Sequence, residues 1–419
     1  MFIPALAIET SSYRSFFKQL SQCFAISTAF FLPLSTATLE FSLLATVLFS
    51  LLASEWNEHY NRLRTNRVAL MFVVFFSVLL IGVSYSAAPL SVAAHTLLKY
   101  SKFLFGFFLF SVFLNEKTAR YAVLAFLLAA SLTLLLSLTK FFVGWDALHR
   151  FGSDSGVFKD HIFTGFLMAF TGYYYGLMAF TTKRWRWAFV LLLIVAGFDV
   201  LYINIGRSGY LVFFSLLLLL GWQQRHWQGL AMAGVLSVFL FAATLLFTNN
   251  FKASFFNTQQ EVEQYAHGNM DTSGGIRLNF YKNSLLLLQK HPWLGTGTGS
   301  FSQVYAQIAN DHRADSNNPH NEYLNLGIQL GLVGIIVLLA LFYTHWTQSF
   351  RLPPLQKELA QAVLVAIAVG SLVNSWLLDV TQGTFYVVFT ALVFSRFAQG
   401  NRTISNVSTL PGERSNTRG

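Results

Sequence analysis

The sequence is poor in charged residues, in proline and in cysteine. Only 11% of its 419 residues are Asp, Glu, Lys or Arg, whereas soluble domains carry about 25%, so an ordinary soluble enzyme is excluded. The single cysteine, Cys23, excludes an intramolecular disulfide and a cysteine-based metal site. The chain has only 8 prolines, and 54% of its residues are hydrophobic, which favours long apolar helices. The composition predicts a polytopic integral membrane protein.

About twelve apolar runs divide the chain, and each is expected to form one membrane-spanning helix of roughly 20 residues. Two regions, 20–53 and 187–222, are crowded, so any count from ten to thirteen fits. The predicted fold class is therefore an all-α membrane protein with about twelve transmembrane helices and one long structured outer loop. The runs lie at 20–34, 39–53, 68–86, 91–114, 121–143, 161–180, 187–205, 208–222, 229–248, 322–346, 359–378 and 385–397.

The net charge of +10 does not indicate nucleic acid, because in a membrane protein the position of the basic residues carries the information. With the N-terminus inside, 17 of the 28 Lys and Arg residues fall on the inner side. Five of the remaining basic residues lie in one long loop, where the positive-inside rule carries little weight. Both termini are therefore predicted to be cytoplasmic.

Two polar segments interrupt or follow the apolar runs, and they set the predicted division of the chain. Residues 1–248 would form an N-terminal membrane part of about nine spans, and 322–399 a C-terminal part of about three. Residues 249–321 would form a structured outer loop, with a helix in SGGIRLNFYKNSLLLLQ that ends at His291-Pro292 and a second in SQVYAQIAN. Residues 400–419 are expected to form a disordered tail.

Arg207 stands between two apolar runs, in INIGRSGYLVFF. A charge at a membrane boundary is costly and commonly functional, and a guanidinium suits phosphate oxygens. The flanking Gly206 and Gly209 are expected to leave the guanidinium uncrowded. Two points stay open: Arg207 could instead snorkel to lipid headgroups, and Asp199 could orient it or face a polar cavity.

Arg277 is a second candidate for anion binding. It follows Ser273, Gly274 and Gly275 at the expected opening of the loop helix, where free N–H groups and the helix dipole attract anions. Tyr281 lies one turn further along the same face. The alternative is a solvated surface arginine.

His320 lies in NNPHNEYLNLGIQLG, where polar loop becomes apolar helix. A histidine at that boundary can take a proton near neutral pH, although a lone histidine is as often structural. Glu322 is a rival base and equally a plausible charge for the helix dipole. The other nine histidines show no metal-ligand spacing with Cys, Asp or Glu, and no metal or cofactor is predicted.

The segment GTGTGSF contains Gly295, Gly297 and Gly299 and looks like a phosphate-binding loop. It lacks the lysine of such loops and follows no recognisable strand. Taken alone, it favours a flexible turn before a helix.

Taken in order, these features resemble the bacterial O-antigen ligase superfamily, which also includes O-antigen polymerases and protein O-oligosaccharyltransferases. The resemblance covers residues 207–331 in motif and the whole chain in topology. Each piece is weak alone, but the ordered series is fairly specific. It consists of Arg207, then Arg277 with Tyr281, Pro292, the series Gly295, Gly297, Gly299 and Phe301, and finally His320, Asn321, Tyr323 and Leu324.

The resemblance implies a membrane glycosyltransferase of the bacterial inner membrane with a periplasmic active site. The donor would be a glycan on undecaprenyl diphosphate and the acceptor a hydroxyl of lipid A–core, with the apolar spans forming a groove for the polyprenyl chain. Arg207 and Arg277, helped by Arg150 in HRFGSDSG, would stabilise the diphosphate leaving group, and His320 would be the general base. Transfer would invert the anomeric carbon without a metal. Supporting positions would be Tyr281, Asn321, Glu322, Tyr323, Gly295, Gly297 and Gly299.

Within that superfamily a ligase is favoured, because protein-glycosylating relatives tend to carry an extra C-terminal region and this chain ends soon after its last apolar run. An O-antigen polymerase uses the same donor chemistry and remains the nearest alternative. A lipid-linked glycan flippase or other transporter would also place basic residues around a cavity. It would not require a structured outer loop with a histidine, and no internal repeat typical of transporters is found.

Overall fold

The computed structural model describes residues 3–54, 56–144, 155–247, 249–268, 272–309 and 318–395. Within these ranges the chain is helical and forms no strand. The predicted tail at 400–419 and the candidate Arg150 lie outside the described residues.

Fifteen α-helices and one π-helical turn make up the described ranges. The N-terminal helices are α1 Ile3–Phe31, α2 Thr36–Leu52, α3 Trp56–Thr65, α4 Arg67–Val83, α5 Leu90–Val112, α6 Glu116–Val143, α7 His161–Thr181 and α8 Arg186–Phe198, the last followed by a π-helical turn at Asp199–Ile203. The remaining helices are α9 Arg207–Phe247, α10 Asn249–Ala266, α11 Ser273–Lys290, α12 Phe301–Ala306, α13 Glu322–Ser349, α14 Pro354–Gly370 and α15 Val380–Phe394.

Each of the twelve apolar runs overlaps one of the described helices. The runs at 208–222 and 229–248 both belong to α9, which bends sharply at Arg225 and His226 and so has two limbs. The limbs pack closely because glycines meet there: a Cβ on Gly221 would lie 2.3 Å from the carbonyl oxygen of Gly229.

Four helices in the described part of the chain are long and apolar enough to cross a membrane: Glu116–Val143, Arg186–Ile203, Arg207–Phe247 and Glu322–Ser349. Three shorter apolar helices accompany them: Thr36–Leu52, Arg67–Val83 and Val380–Phe394. The predicted class, an all-α membrane protein, is confirmed at this level. A total of twelve spans stays a prediction.

Helix α15 lies at the centre of the structure, and every residue from Gly383 to Phe394 is buried. Aromatic rings surround it: the Phe385 ring centroid lies 4.8 Å from Phe166 and 4.7 Å from Phe170. Close-packed aromatic groups of this kind supply much of the energy of a core. The rigid centre fixes the position of the turn that leads into α15.

One predicted span is wrong in extent. Helix α14 ends at Gly370, and residues 371–379 form a series of turns instead of continuing a span to residue 378. Trp376 in these turns is fully buried, and it packs so closely on Gly370 that a Cβ there would overlap the indole ring. The bulky indole occupies the space that another helical turn would need.

The loop at 249–321 contains helix α10, which the sequence did not predict, as well as the expected α11 and α12. Helix α11 starts at Ser273, with the Thr272 hydroxyl accepting from Gly275 N–H at the N-cap. Arg277 therefore lies in the second turn of α11, and the prediction that it opens the helix is wrong. The predicted end at His291 is confirmed.

The glycine-rich turn at 295–299 is inserted into a break in α13. Gly331 interrupts that helix with φ +63°, which frees backbone groups on both sides of the break. Four backbone hydrogen bonds of 2.7–3.3 Å use them: Thr296 N to Ile328 O, Gly297 N to Gln329 O, Leu332 N to Pro292 O and Val333 N to Trp293 O.

Candidate functional site

Arg207 is the first residue of α9, directly after the π-helical turn and a short connection. The connection is held by Asn204, whose Oδ1 accepts from Gly206 N–H at 2.7 Å and whose carbonyl accepts from the Tyr210 hydroxyl at 2.6 Å. The flanking glycines serve packing and do not create space around the guanidinium. A Cβ on Gly206 would lie 2.8 Å from Asn204 Oδ1, and one on Gly209 would lie 2.9 Å from Gly165 Cα.

Asp199 does not orient Arg207. Its side chain is fully buried, so it does not face an open cavity either, and its Oδ2 accepts a hydrogen bond from the Ser137 hydroxyl of α6. Arg207 pairs instead with Glu261 of α10. Arg207 Nη1 lies 3.0 Å from Glu261 Oε2, and Nη2 lies 3.5 Å from Oε1. Both nitrogens of the guanidinium fork thus face one carboxylate.

Arg277 lies half-buried on α11 and belongs to the same cluster. Burial lowers the pKa of its guanidinium, the Tyr281 phenol raises it, the positive charge of Arg207 lowers it, and the Glu261 carboxylate raises it. The Glu261 carboxylate that pairs with Arg207 also lies close to α11 one turn before Arg277, since a Cβ on Gly274 would be 2.6 Å from its Oε2. The structure therefore brings together the two arginines that the sequence placed 70 residues apart.

His320 lies immediately before α13 in a left-handed backbone conformation, with φ +51°. Three contacts hold it: its N–H donates to Asn318 Oδ1 at 2.9 Å, its carbonyl accepts from the Tyr281 hydroxyl at 3.2 Å, and its ring lies against that of Phe280 with centroids 6.1 Å apart. A non-glycine residue with positive φ is held there by its surroundings, and such residues are often functional. Tyr281, which was predicted to share a helix face with Arg277, thus contacts the backbone of His320.

The fourth contact of His320 selects the form of its imidazole. His320 Nδ1 lies 3.1 Å from Asn374 Oδ1. That oxygen also accepts from the backbone N–H of Ser375 at 3.0 Å, which identifies it as the carbonyl end of the amide. His320 Nδ1 must then carry the proton and donate it, and Nε2 keeps its lone pair. Nε2 forms no hydrogen bond with any described residue.

The charge state of His320 also suits a base. Burial lowers the pKa of the imidazole below its usual value of 6.5, the hydrogen bond to Asn374 raises it, and the positive charge of Arg277 lowers it. The net effect is a lowered pKa, so the neutral ring predominates at neutral pH. A neutral imidazole with a free lone pair can accept a proton.

Glu322 is fully buried, and both of its carboxylate oxygens accept hydrogen bonds from other residues of the protein. Its Oε1 accepts from the Tyr100 hydroxyl at 2.6 Å, and its Oε2 accepts from the backbone N–H groups of Leu377 and Leu378 at 3.1 and 3.2 Å. A carboxylate held in this way has no access to an acceptor molecule. The geometry therefore disfavours Glu322 as the base and agrees with its expected place in the first turn of α13.

Two further supporting residues have structural contacts. Asn321 is the N-cap of α13, accepting from Leu324 N–H at 3.0 Å and donating to Leu372 O at 2.8 Å. The Tyr323 hydroxyl donates to Ala368 O at 2.9 Å. Both join the start of α13 to the end of α14 and the turns at 371–379.

The glycine-rich turn does not form a phosphate cradle. Every backbone N–H from Gly295 to Ser300 donates a hydrogen bond inside the protein, so none is available to a phosphate. The turn is not a flexible connection either. A Cβ on Gly297 would lie 2.1 Å from Ser86 Cα, and one on Gly299 would lie 2.9 Å from Ala93 Cα. The glycines let the loop at 249–321 pack directly onto α5 and the connection before it.

Two residues of the site were missed in the sequence. Glu261 lies in QQEVEQ, a short acidic group in the loop that also supplies Arg277, and a search for counter-ions of the arginines would have found it. Asn374 lies within the apolar run 359–378, where Gln361, Ser371, Asn374 and Ser375 are the polar residues and none has a distinctive pattern. Neither residue has a distinctive spacing.

The cluster thus combines two arginines from α9 and α11 with a histidine whose Nε2 is free to accept a proton. Residues 192–339, about a third of the chain, match the sequence model of a family described as O-antigen ligase. This segment is a domain of the O-antigen ligase superfamily. It contains Arg207, Glu261, Arg277 and His320, and it ends within α13.

The site lies at the starts of α9 and α13 and in the long loop, not inside an apolar span. No curated protein matches the chain. The superfamily comprises glycosyltransferase-like enzymes of polysaccharide synthesis, and the resemblance seen in the sequence is confirmed at that level. The roles of the individual residues are proposals.

Proposed function

We propose that the protein is an O-antigen ligase, which transfers a glycan from undecaprenyl diphosphate to a hydroxyl of lipid A–core at the periplasmic face of the inner membrane. The observation that carries this proposal is the cluster of Arg207, Arg277 and His320, which joins two cations to a base within the matched domain. This combination suits a reaction with an anionic leaving group and a hydroxyl nucleophile.

The arginines would bind the diphosphate of the donor. As the bond from the anomeric carbon to the phosphate oxygen breaks, the oxygen leaves with the electron pair and negative charge grows on the diphosphate. Guanidinium groups in a partly buried site stabilise such charge strongly, and they present paired donors to phosphate oxygens. With two cations at the leaving group, the proposal requires no metal ion.

His320 would activate the acceptor. A sugar hydroxyl is far too weakly acidic to ionise at neutral pH, so a base must take its proton as the oxygen attacks the anomeric carbon. The proton would pass to His320 Nε2, and the hydrogen bond from Nδ1 to Asn374 would keep Nε2 in the accepting form. Direct displacement by the hydroxyl inverts the configuration at the anomeric carbon.

Transfer by the purified protein tests the proposal. The protein would be mixed with lipid-linked glycan and lipid A–core, without ATP and with a metal chelator. A ligase gives glycan joined to lipid A–core under these conditions. A polymerase instead lengthens the lipid-linked glycan, and a transporter forms no new glycosidic bond, so either result would overturn the assignment.

A deletion strain separates ligase from polymerase in the cell. Loss of a ligase should leave rough lipopolysaccharide while polymerised glycan accumulates on the lipid carrier. Loss of a polymerase should leave single repeat units joined to the core. The second pattern would replace the proposed reaction by the alternative within the superfamily.

The proposed orientation has its own test. Cysteine labelling at Asn257, Asn269 and Asn310 should be accessible from the periplasm, whereas Asn61 and Ser415 should be accessible from the cytoplasm. Labelling of the loop from the cytoplasmic side would put the site on the wrong face for a lipid A–core acceptor.

A further inference from the structure

Glu261 occupies the position where the proposed diphosphate would meet Arg207. Its carboxylate faces both terminal nitrogens of the guanidinium, at 3.0 and 3.5 Å. The side chain of Glu261 is 14% exposed, compared with 36% for Arg207. The carboxylate is thus the more enclosed partner of this ion pair.

The same carboxylate reaches the beginning of α11. A Cβ on Gly274 would lie 2.6 Å from Glu261 Oε2, so the absence of a side chain at 274 lets the carboxylate approach the first turn of the helix. The negative charge of Glu261 also raises the pKa of Arg277, one turn further along α11. Arg207, Arg277 and a helix N-terminus, which attracts anions, therefore surround one internal anion.

We propose that Glu261 is an exchangeable counter-ion of the diphosphate site. Its carboxylate pairs with the arginines when donor is absent, is displaced when a diphosphate binds, and pairs with them again as the product leaves. The inference rests on the proposed function, because it takes the two arginines as the diphosphate site. It assigns to Glu261 a role in substrate exchange, not in the chemical step.

The physical reason for exchange is competition for the same donors. A carboxylate and a phosphate both accept paired hydrogen bonds from a guanidinium, and two anions cannot share Arg207 without strong repulsion. Glu261 lies on α10, where most of the described side chains are exposed, including those of the next two residues, Val262 and Glu263. Its displacement therefore needs no change in the apolar core.

The returning carboxylate would help the diphosphate product to leave the site. Transfer converts a diphosphate diester into a diphosphate monoester, which carries one more ionisable oxygen and is held more strongly by the arginines. A competing internal anion weakens the hold on donor and product alike and so speeds the release of the product. Without it, the enzyme would bind its own product too tightly to turn over rapidly.

Binding of inorganic pyrophosphate and of a short prenyl diphosphate to the full-length protein in detergent tests the proposal. Glu261→Gln should bind both probes more tightly than the unmodified protein, by about fivefold or more, which corresponds to about 1 kcal/mol. The matched control is Glu263→Gln on the same helix, because Glu263 is exposed and contacts Gln259. Its affinity for the probes should stay within twofold of the unmodified protein.

Three outcomes are decisive. Unchanged or weaker binding of pyrophosphate by Glu261→Gln, while Arg207→Ala lowers binding in the unmodified background, overturns the exchange proposal and leaves the diphosphate site intact. Equal, weak binding by all variants, including Arg207→Ala, overturns the diphosphate site and the exchange proposal together. Equal gains in Glu261→Gln and Glu263→Gln reduce the effect to net charge and overturn a specific role for Glu261.

A second variant controls for a folding defect in Glu261→Gln. Glu261→Asp keeps the charge but is one methylene shorter, so it should pair less well with Arg207 and give an intermediate gain in affinity. Thermal unfolding of each variant without probe shows whether the fold is retained. An affinity for Glu261→Asp below that of the unmodified protein contradicts the proposal.

Discussion

His320 and Asn374 face each other across 54 residues of sequence, with Nδ1 of the ring 3.1 Å from Oδ1 of the amide. The histidine comes from the end of the loop at 249–321, and the asparagine from the turns between α14 and α15. Their contact joins the candidate base to the turns that lead into the buried helix α15. It sets both the orientation of the ring and the nitrogen that is free to accept a proton.

Replacement of Asn374 should alter the base without removing it. Asn374→Leu removes the acceptor at Nδ1, so the ring can turn or adopt the other tautomer, and transfer should fall by about 10- to 100-fold. Asn374→Asp places a carboxylate at the same position and raises the pKa of His320. Because the neutral ring is the active form, the acid limb of the kcat/KM profile should move to higher pH.

Ser375→Ala is the control for Asn374, since it keeps the backbone N–H that contacts Asn374 and removes only the hydroxyl bond to Asn318. The titratable groups around His320 among the described residues are Arg277 and Tyr281 of α11 and Glu322 of α13. An acid limb that stays in place in Asn374→Asp would contradict the role given to the amide.

Replacement of either arginine should weaken donor binding as well as turnover. Phosphate contacts act in the ground state and in the transition state, so Arg207→Ala and Arg277→Ala should raise the Kd for donor and lower the single-turnover rate. Lysine at either position should restore only part of both, since the ammonium keeps the charge but loses the paired donors. Normal donor binding by Arg277→Ala would remove that residue from the diphosphate site.

Glu322 should prove structural. Glu322→Ala would leave the Tyr100 hydroxyl and the N–H groups of Leu377 and Leu378 buried without an acceptor, at a cost of roughly 3 kcal/mol or more. Glu322→Gln keeps an acceptor oxygen and should be much closer to the unmodified protein in both thermal stability and transfer. If Glu322→Gln instead loses transfer at an unchanged melting temperature, Glu322 is the better candidate for the base.

Gly297→Ala should act through packing and not through phosphate binding. The backbone at 297 has φ +92°, and an added Cβ would lie 2.1 Å from Ser86 Cα, so the turn must shift. We expect a loss of at least about 2 kcal/mol in stability, from strain and overpacking together. Reduced donor affinity in a protein of unchanged melting temperature would instead favour the phosphate-loop interpretation.

The sequence predicted the apolar helices well, because twelve runs of low polarity leave few other solutions in a membrane. It did not predict where α14 stops, since Asn374 and Ser375 are two polar residues among apolar ones. Their turn is imposed by the packing of Trp376 on Gly370, a contact that no local pattern reveals. The most informative partner of His320 was therefore hidden in a predicted span.

The site residues also divide into those that the sequence predicted and those that it did not. Arg207 and His320 could be found because a charge at a membrane boundary or a histidine before an apolar helix is unusual. Arg277 was singled out by its place near the start of the loop helix. The glycine series favoured a flexible turn before a helix, and a turn does precede α12. Its close packing was not predicted, because positive φ angles in a phosphate loop and in a tightly packed turn leave the same sequence pattern. Only the hydrogen bonds of the six N–H groups distinguish the two.

Single-turnover transfer by His320→Ala, measured beside donor binding by the same protein, tests the central claim most directly. A base acts on the acceptor and contributes about 10²- to 10⁴-fold in rate, so transfer should fall by that factor while the Kd for lipid-linked donor stays close to that of the unmodified protein. Monodispersity and melting temperature would confirm that the fold is retained. Transfer at nearly the unmodified rate would show that His320 is not the base.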